Sequence, residues 1–155
     1  MAHIHEKIDF TVSVYVVHEN KVLLHIHKVL GIWLPPGGHI ELDEDPNEAA
    51  VREAKEETGL DIELIGEAHS YDSPYSAREL IPPRFLNRHF FDEKRTHEHV
   101  DSCYFARSKN GADARHEVEG GEVRWFTREE IERNEEGIVP DVRVHALAAL
   151  AELSE

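Results

Sequence analysis

Residues 38–44 read GHIELDE and, after seven further residues, residues 52–60 read REAKEETGL. The two segments hold acidic residues and glycines at a fixed spacing around one predicted helix. Asp45 is a good N-cap, Pro46 suits the first helical position and Glu48 falls at the third. Because Gly59 can take the left-handed conformation, the pattern predicts a helix that begins after Asp45 and stops at Gly59.

Three carboxylates share one face of that helix. Glu53, Glu56 and Glu57 are related by steps of three and four, whereas Ala50, Val51 and Ala54 lie on a neighbouring apolar face. Like charges at this spacing repel by a few tenths of a kcal/mol per pair, so bound cations explain the cluster better than helix stability does. Hard oxygen ligands suit Mg²⁺ or Mn²⁺.

The spacing G-x5-E-x7-R-E-x-x-E-E-x-G, followed by Leu60, resembles the complete box of the Nudix hydrolase family. Ala54 is a soft departure, since the family usually carries a larger aliphatic residue there. A surface helix rich in glutamate would account for one or two of the acids. It would not account together for Gly38, Glu44, Arg52 and Gly59.

The resemblance implies a hydrolase that uses water and divalent cations, Mg²⁺ or Mn²⁺, to break a phosphoanhydride bond in a nucleoside diphosphate linked to another moiety. It also implies an α/β fold, with an α/β/α sandwich around a mixed β-sheet. In this interpretation no nucleophilic Ser or Cys takes part.

The same interpretation gives roles to individual residues. Glu53 is the first choice as general base and Glu56 the second. An acid outside the box often completes the metal shell in this family, and Glu98 is the first candidate, ahead of Glu117 and Glu119. The predicted metal ligands are Gly37 through its carbonyl, Glu53, Glu56, Glu57 and Glu98, and the supporting residues are Gly38, Glu44, Arg52 and Gly59.

The composition limits the partners. A chain of 155 residues is expected to form a single domain over residues 1–155. Its formal charge of −15 disfavours nucleic-acid polymers and anionic membranes, because a phosphate backbone is held by clustered Lys and Arg. A small phosphorylated substrate stays compatible, since bound cations invert the local charge. The oligomeric state is left open, with a homodimer as one alternative.

The single cysteine and the N-terminal sequence indicate a compartment. Cys103 excludes an intramolecular disulfide, and its aromatic neighbours predict a buried thiol. The first residues lack the pattern of a signal peptide, and no apolar stretch approaches about twenty residues. We therefore expect a cytoplasmic protein.

Runs of β-branched and aromatic residues predict strands, and two further helices are expected. Thr127 with Glu130 forms a capping-box pattern, and residues 140–153 place apolar side chains on one face. The paired glycines after Pro36 are interpreted as a tight turn with close approach of the backbone. The predicted strands cover residues 10–17, 21–28, 62–68, 84–91, 100–107 and 122–126.

Substrate recognition is assigned outside the box. Residues 70–83 carry three prolines and form the longest irregular stretch between predicted strands, which is often functional. His39, directly after Gly38, is the candidate nearest the box. The predicted substrate-binding residues are His39, Tyr75, Arg78 and Arg84.

Three His-x-His pairs occur among twelve histidines. On a strand, residues two apart share a face, so such pairs could bind Zn²⁺. Without an identifiable closed set of four ligands, polar strand faces at an ordinary surface are the favoured interpretation. The pairs are His3 with His5, His25 with His27, and His97 with His99.

Two alternatives to hydrolysis remain. A non-catalytic module could sense a nucleotide, although a sensor need not retain the whole acidic set. An isoprenoid diphosphate isomerase would need a catalytic cysteine, and Cys103 lies far from the box in sequence. The sequence does not identify the substrate or the number of metal ions.

Overall fold

The computed structural model describes residues 3–114 and 121–155. Their backbone forms two groups of four strands, with one helix between the groups and two helices after the second group. Glu117 and Glu119 lie outside the described residues. The elements are β1 (Ile8–His18), β2 (Lys21–Ile26), β3 (Trp33–Leu34), β4 (Gly37–His39), α1 (Pro46–Thr58), β5 (Ile62–Leu64), β6 (Phe85–Phe90), β7 (Glu98–Ser108), β8 (Val123–Thr127), α2 (Arg128–Arg133) and α3 (Pro140–Leu153).

The strands form one mixed sheet with β1 at its centre. β1 runs parallel to β7 from the pair Ile8 and Glu98 to the pair Val17 and Arg107. On its other edge, β1 pairs antiparallel with β4 along its first half and with β2 at its end. β5 and β6 extend the sheet beyond β7, and β3 and β8 pair with β2.

Apolar residues of β1 alternate between the two faces of the sheet, and each face packs against helices. Val12, Val14 and Val16 face α1, where Ala50 and Ala54 are buried. Tyr15 and Val17 face the opposite layer, which holds α2 and α3. The predicted α/β/α sandwich around a mixed sheet is therefore confirmed.

Local signals define both ends of α1. The Asp45 carboxylate accepts from the Glu48 N–H at 2.9 Å, and the Glu48 carboxylate accepts from the Asp45 N–H at 2.9 Å. Gly59 has φ +73° and donates its N–H to the Lys55 carbonyl at 2.9 Å. Both predicted ends are confirmed, because capping is a local interaction that the sequence displays directly.

The paired glycines form a strand rather than the predicted tight turn. Gly37 and Gly38 belong to β4, where Gly38 pairs with Val12. The predicted close approach is present: a Cβ at Gly37 would lie 2.1 Å from the Val12 carbonyl oxygen. Glycine is needed here because the neighbouring backbone leaves no room, and not because of a positive φ.

Replacing Gly59 tests its left-handed conformation. Gly59→Val is expected to lower the free energy of unfolding by about 1–2 kcal/mol, since a β-branched residue is poorly tolerated at positive φ. Gly59→Asn should cost less, because Asn134 ends α2 in the same conformation with φ +53°. Thermal unfolding measures both variants. For a domain of this length, a loss of 1 kcal/mol lowers the melting temperature by about 2–4 °C. A melting temperature that Val leaves unchanged would contradict the assignment.

Candidate active site

The carboxylates of α1 meet the outer edge of β4. The inner edge of this strand pairs with β1, so its outer edge presents free backbone groups of Gly37 and His39. The Gly37 N–H donates to Glu57 Oε2 at 3.0 Å, and the His39 carbonyl accepts from Arg52 at 3.0 Å. α1 is therefore attached to the strand through the residues that carry its charges.

Glu53 lies directly above Gly38. A Cβ on Gly38 would lie 2.3 Å from Glu53 Oε1, so a larger residue would displace the carboxylate. The whole Glu53 residue is only 4% exposed, although it is ionisable. Burial raises the pKa of Glu53 to about 7, against the lowering effect of Arg52.

Glu57 is half-buried and keeps 25% of its side chain exposed. Burial raises its pKa to about 8, and the charges of Glu53 and Glu56 add to this against the Gly37 N–H. His25 Nε2 lies 3.4 Å from Glu57 Oε2. Glu56 differs from both, because 61% of its side chain is exposed.

Arg52 organises the other box acids. A guanidinium has five N–H groups, and five hydrogen bonds use them here. Two reach Glu44, one reaches Glu53 at 2.9 Å, one reaches Glu56 at 3.1 Å and one reaches the His39 carbonyl. The pKa of Glu44 is lowered by the hydrogen bonds from Arg52. Arg52 thus orients carboxylates and has no donor left for a substrate phosphate.

A cavity of about 450 Å³ opens beside Glu57, Gly37 and Gly38 on the face of the sheet that carries α3. Its polar floor centres on Asp101, which accepts from Thr11 at 2.7 Å, Ser13 at 2.8 Å and the Cys103 thiol at 3.2 Å. A pocket of this size suits a small ligand. Its wall also holds Tyr15, His25, Asn87, His89, Phe91 and His145.

The predicted substrate-binding residues separate into two groups. His39 lines the cavity, but Tyr75, Arg78 and Arg84 are not among the lining residues. Tyr75 is 91% exposed. Arg78 lies 3.8 Å from Asp45 at the start of α1, and Arg84 pairs with Glu152 of α3 at 2.8 Å. The structure therefore does not bring these three side chains to the box acids.

Glu98 is likewise engaged elsewhere. Both of its carboxylate oxygens accept from Arg88, at 2.6 and 2.7 Å, and this pair lowers the pKa of Glu98. Neither Glu53 nor Glu57 has Glu98 among the charges that shift its pKa. Glu98 as a metal ligand stays a prediction that the geometry does not support.

Several cavity residues were not predicted from the sequence. Asp101 lies within the predicted strand of residues 100–107. An acidic residue inside a strand that is expected to be buried is a sequence signal that could have identified Asp101 as a site residue. Tyr15, Asn87 and His145 carry no comparable local signal.

Cys103 lines the same cavity as Gly37, Gly38 and Glu57, although it lies far from the box in the sequence. Burial and the Asp101 charge raise the pKa of its thiol, which keeps it protonated.

Comparison with known proteins gives consistent matches. The model of the NUDIX domain matches residues 7–143. An RNA pyrophosphohydrolase from Roseobacter denitrificans is 33% identical over 131 residues, 76% of this chain and 73% of that protein. The crystal structure of a NUDIX-family hydrolase from Clostridium perfringens has a TM-score of 0.82 at 33% identity, covering 94% of this chain and 98% of that chain.

A shorter match is to a larger protein. An m7GpppN-mRNA hydrolase from Xenopus laevis is 40% identical over 64 residues, 37% of this chain and 22% of that protein. The match thus spans about a fifth of that relative's length.

None of the helices formed by the described residues combines the length and apolar character needed to cross a membrane.

Replacing Arg52 by Lys tests its organising role. Lysine keeps the charge but has three donors and no planar fork. We expect Arg52→Lys to lower the free energy of unfolding by about 1–3 kcal/mol, because it leaves half-buried carboxylate and carbonyl groups without donors. The matched control is Arg88→Lys, which breaks an exposed pair with Glu98 and should cost at most about 1 kcal/mol. Equal losses in urea unfolding would mean that Arg52 is an ordinary surface arginine.

Proposed function

The chain belongs to the Nudix family, and on that premise we propose that it is a divalent-cation-dependent hydrolase of a phosphoanhydride bond in a nucleoside diphosphate linked to another moiety. The observation that carries the proposal is the position of Glu57 at the outer edge of β4, where it lines the cavity, with Glu53 held over the neighbouring Gly38. Phosphates of a ligand in this cavity would meet carboxylates, so cations are required between the two.

The acids fit Mg²⁺ or Mn²⁺. These ions prefer carboxylate and carbonyl oxygens as ligands, and the outer edge of β4 offers both. Burial raises the pKa values of Glu53 and Glu57, and the charges of neighbouring box acids raise them further. Arg52 supplies a single positive charge among four box acids, so this group of side chains keeps a net negative charge when ionised. A cation would relieve that repulsion.

Gly37 is a suitable further ligand. In an extended strand, the N–H and C=O of one residue point to the same side. Because the Gly37 N–H points to Glu57, its carbonyl also lies on the outer edge of β4. This supports Gly37, Glu53 and Glu57 as the residues that hold the cation, with the exposed Glu56 completing the set.

Bound at this position, a divalent cation would neutralise the diphosphate oxygens and lower the pKa of the water that attacks phosphorus. The chain contributes the positions of the charged groups. Arg52 holds Glu53 through a 2.9 Å hydrogen bond, and Gly38 lets the carboxylate lie against the strand. We keep Glu53 as the first choice for the base that takes the proton from water, and Glu56 as the second.

We place the group attached to the diphosphate in the cavity and not at residues 70–83. The cavity adjoins Glu57 and offers aromatic and amide side chains, including Phe91 and Asn87. The relative from Roseobacter denitrificans is named for RNA, so a 5′-triphosphorylated RNA belongs in the substrate panel beside small nucleotides. The charge of −15 favours the small nucleotides.

The remaining sequence predictions stay proposals. We propose that the domain spans the whole chain, because β1 begins at Ile8 and α3 ends at Leu153. The cytoplasmic location and the choice between monomer and homodimer remain predictions.

Removing charge from the box tests the catalytic assignment. Glu53→Gln and Glu57→Gln are each expected to lower kcat by about 10²-fold or more with the fold intact, because volume is kept while charge is lost. The matched control is Glu98→Gln, which should stay near wild type. Release of phosphate or diphosphate with Mg²⁺ or Mn²⁺ measures turnover, and thermal unfolding checks the fold.

The outcomes separate the alternatives. A loss of turnover for Glu98→Gln as large as for Glu57→Gln would show that the acid outside the box takes part. Nucleotide binding by the wild-type chain without turnover on any substrate of the panel would favour the sensor over the hydrolase. Full turnover by Glu53→Gln on a good substrate would remove Glu53 from the mechanism.

Substitutions inside and outside the cavity test where the substrate is recognised. Asn87→Ala is expected to raise KM or reorder the substrate panel more than it lowers kcat, since it changes the cavity wall and not the box. Tyr75→Ala and Arg84→Ala should leave KM and the ranking unchanged. The reverse result would return specificity to residues 70–84, as the sequence predicts.

A further inference from the structure

Four metal-ligating side chains meet at the start of the parallel strands, outside the Nudix box. His3 precedes the sheet, Asp9 lies on β1, and His97 and His99 lie just before and on β7. One nitrogen or oxygen atom of each lies within 4.8 Å of the corresponding atoms of the other three. The register that pairs Asp9 with His99 brings these distant segments together.

The spacing of these atoms suits a tetrahedral ion. Asp9 Oδ2 lies 3.1 Å from His3 Nδ1 and 3.2 Å from His97 Nε2. Ligand bonds of about 2.0–2.1 Å, as around Zn²⁺, place neighbouring ligand atoms of a tetrahedron about 3.3 Å apart. The two pairs are therefore close to the distances of a formed site.

His97 has a buried ring nitrogen without a hydrogen-bond partner among the described residues. Its Nδ1 lies 3.1 Å from the Glu6 carbonyl, which can only accept, so Nδ1 donates there. Its Nε2 faces the Asp9 carboxylate at 3.2 Å and makes no hydrogen bond with the described residues. His97 is 5% exposed, which leaves water little access. A positive charge, either a proton or a metal ion, is needed between this nitrogen and the carboxylate.

His99 repeats this pattern. It is 7% exposed, and its Nε2 also lacks a hydrogen-bond partner among the described residues. A buried ring nitrogen without a partner is rare in folded proteins and calls for a bound ion or water. The interpretation of the His-x-His pairs as ordinary surface is thus wrong for His97 and His99.

We propose that His3, Asp9, His97 and His99 form a second metal site, which binds a divalent transition-metal ion, with Zn²⁺ as the fitting ion. Three imidazoles and one carboxylate favour zinc over magnesium, which prefers oxygen ligands. The hydrogen bond from His97 Nδ1 to the Glu6 carbonyl is the outer contact that orients a ligating histidine. By linking His3 to ligands on or next to β1 and β7, the ion would hold residues 3–6 against the sheet.

The second site adjoins the cavity but is distinct from the box. His3, His39 and His99 line the cavity wall. His39 connects the two sets of residues, since its Nε2 lies 3.0 Å from Asp9 and its carbonyl accepts from Arg52. The zinc site does not depend on the proposed hydrolase activity, so each can fail without the other.

Zinc binding to tag-free protein tests the proposal. The chain is first stripped with a chelator, then dialysed against Zn²⁺ in excess Mg²⁺, which competes with Zn²⁺ for the box acids. We expect one tightly bound Zn²⁺ per chain by metal analysis. His3→Ala should raise the Kd for Zn²⁺ about ten-fold or more, because a ligand is lost. His5→Ala is the matched control, since the exposed His5 contributes only its backbone N–H to Asp9.

Two further measurements cover the remaining outcomes. His97→Ala should also lose the zinc. If that variant does not fold, the wild-type chain provides a second test: Co²⁺ bound in place of Zn²⁺ should give the strong visible absorption of a tetrahedral site. Glu57→Gln should keep its zinc. The proposal is overturned if the wild type retains no zinc, if His3→Ala binds zinc as tightly as His5→Ala, or if Glu57→Gln alone loses it.

Discussion

The close contact between α1 and β4 is the constraint on which the rest of the site depends. Gly37 lies against the Val12 carbonyl and Gly38 against the Glu53 carboxylate, so neither position has room for a Cβ. This contact allows Glu57 to reach the Gly37 N–H and Arg52 to reach the His39 carbonyl. The caps of α1 set where the helix starts and stops, and therefore which turn carries the acids to the strand.

The contact concentrates negative charge around one buried carboxylate, Glu53, and one half-buried carboxylate, Glu57. Glu44, Glu53 and Glu56 share the guanidinium of Arg52, and Glu57 relies on a backbone N–H and on His25. Crowded acids of this kind cost free energy that helix stability alone does not offset. The proposed cation site would explain why a chain keeps them together, and the adjoining cavity would hold the ligand on which the cation acts.

The sequence predicts those parts of the structure that depend on local interactions. Asp45, Glu48 and Gly59 mark the ends of α1, and Thr127 with Glu130 marks the start of α2. Hydrophobic alternation indicates the strands, although β2 and β5 end earlier than predicted. The glycines before His39 form a strand and not the predicted turn, because glycine in a sequence indicates close backbone approach and a turn equally well.

Contacts between distant segments could not be predicted in the same way. Asp9 meets His97 and His99 because β1 and β7 run parallel in one register, and no neighbouring residue signals that pairing. Asp101 meets Thr11 and Ser13 for the same reason. Residues 70–83 have the composition of a recognition loop, yet Ile81 bonds with Asn47 near the start of α1. Composition alone does not say where a loop packs.

The central claim is that Glu53 and Glu57, at the outer edge of β4, bind a divalent cation. A crystal structure of the chain with Mn²⁺, located by its anomalous scattering, tests this most directly. The account predicts a manganese peak within about 2.0–2.6 Å of oxygen atoms from Glu53 or Glu57, with the Gly37 carbonyl as a further ligand. Strong manganese peaks elsewhere, for instance at Glu98, with none beside β4, would contradict it.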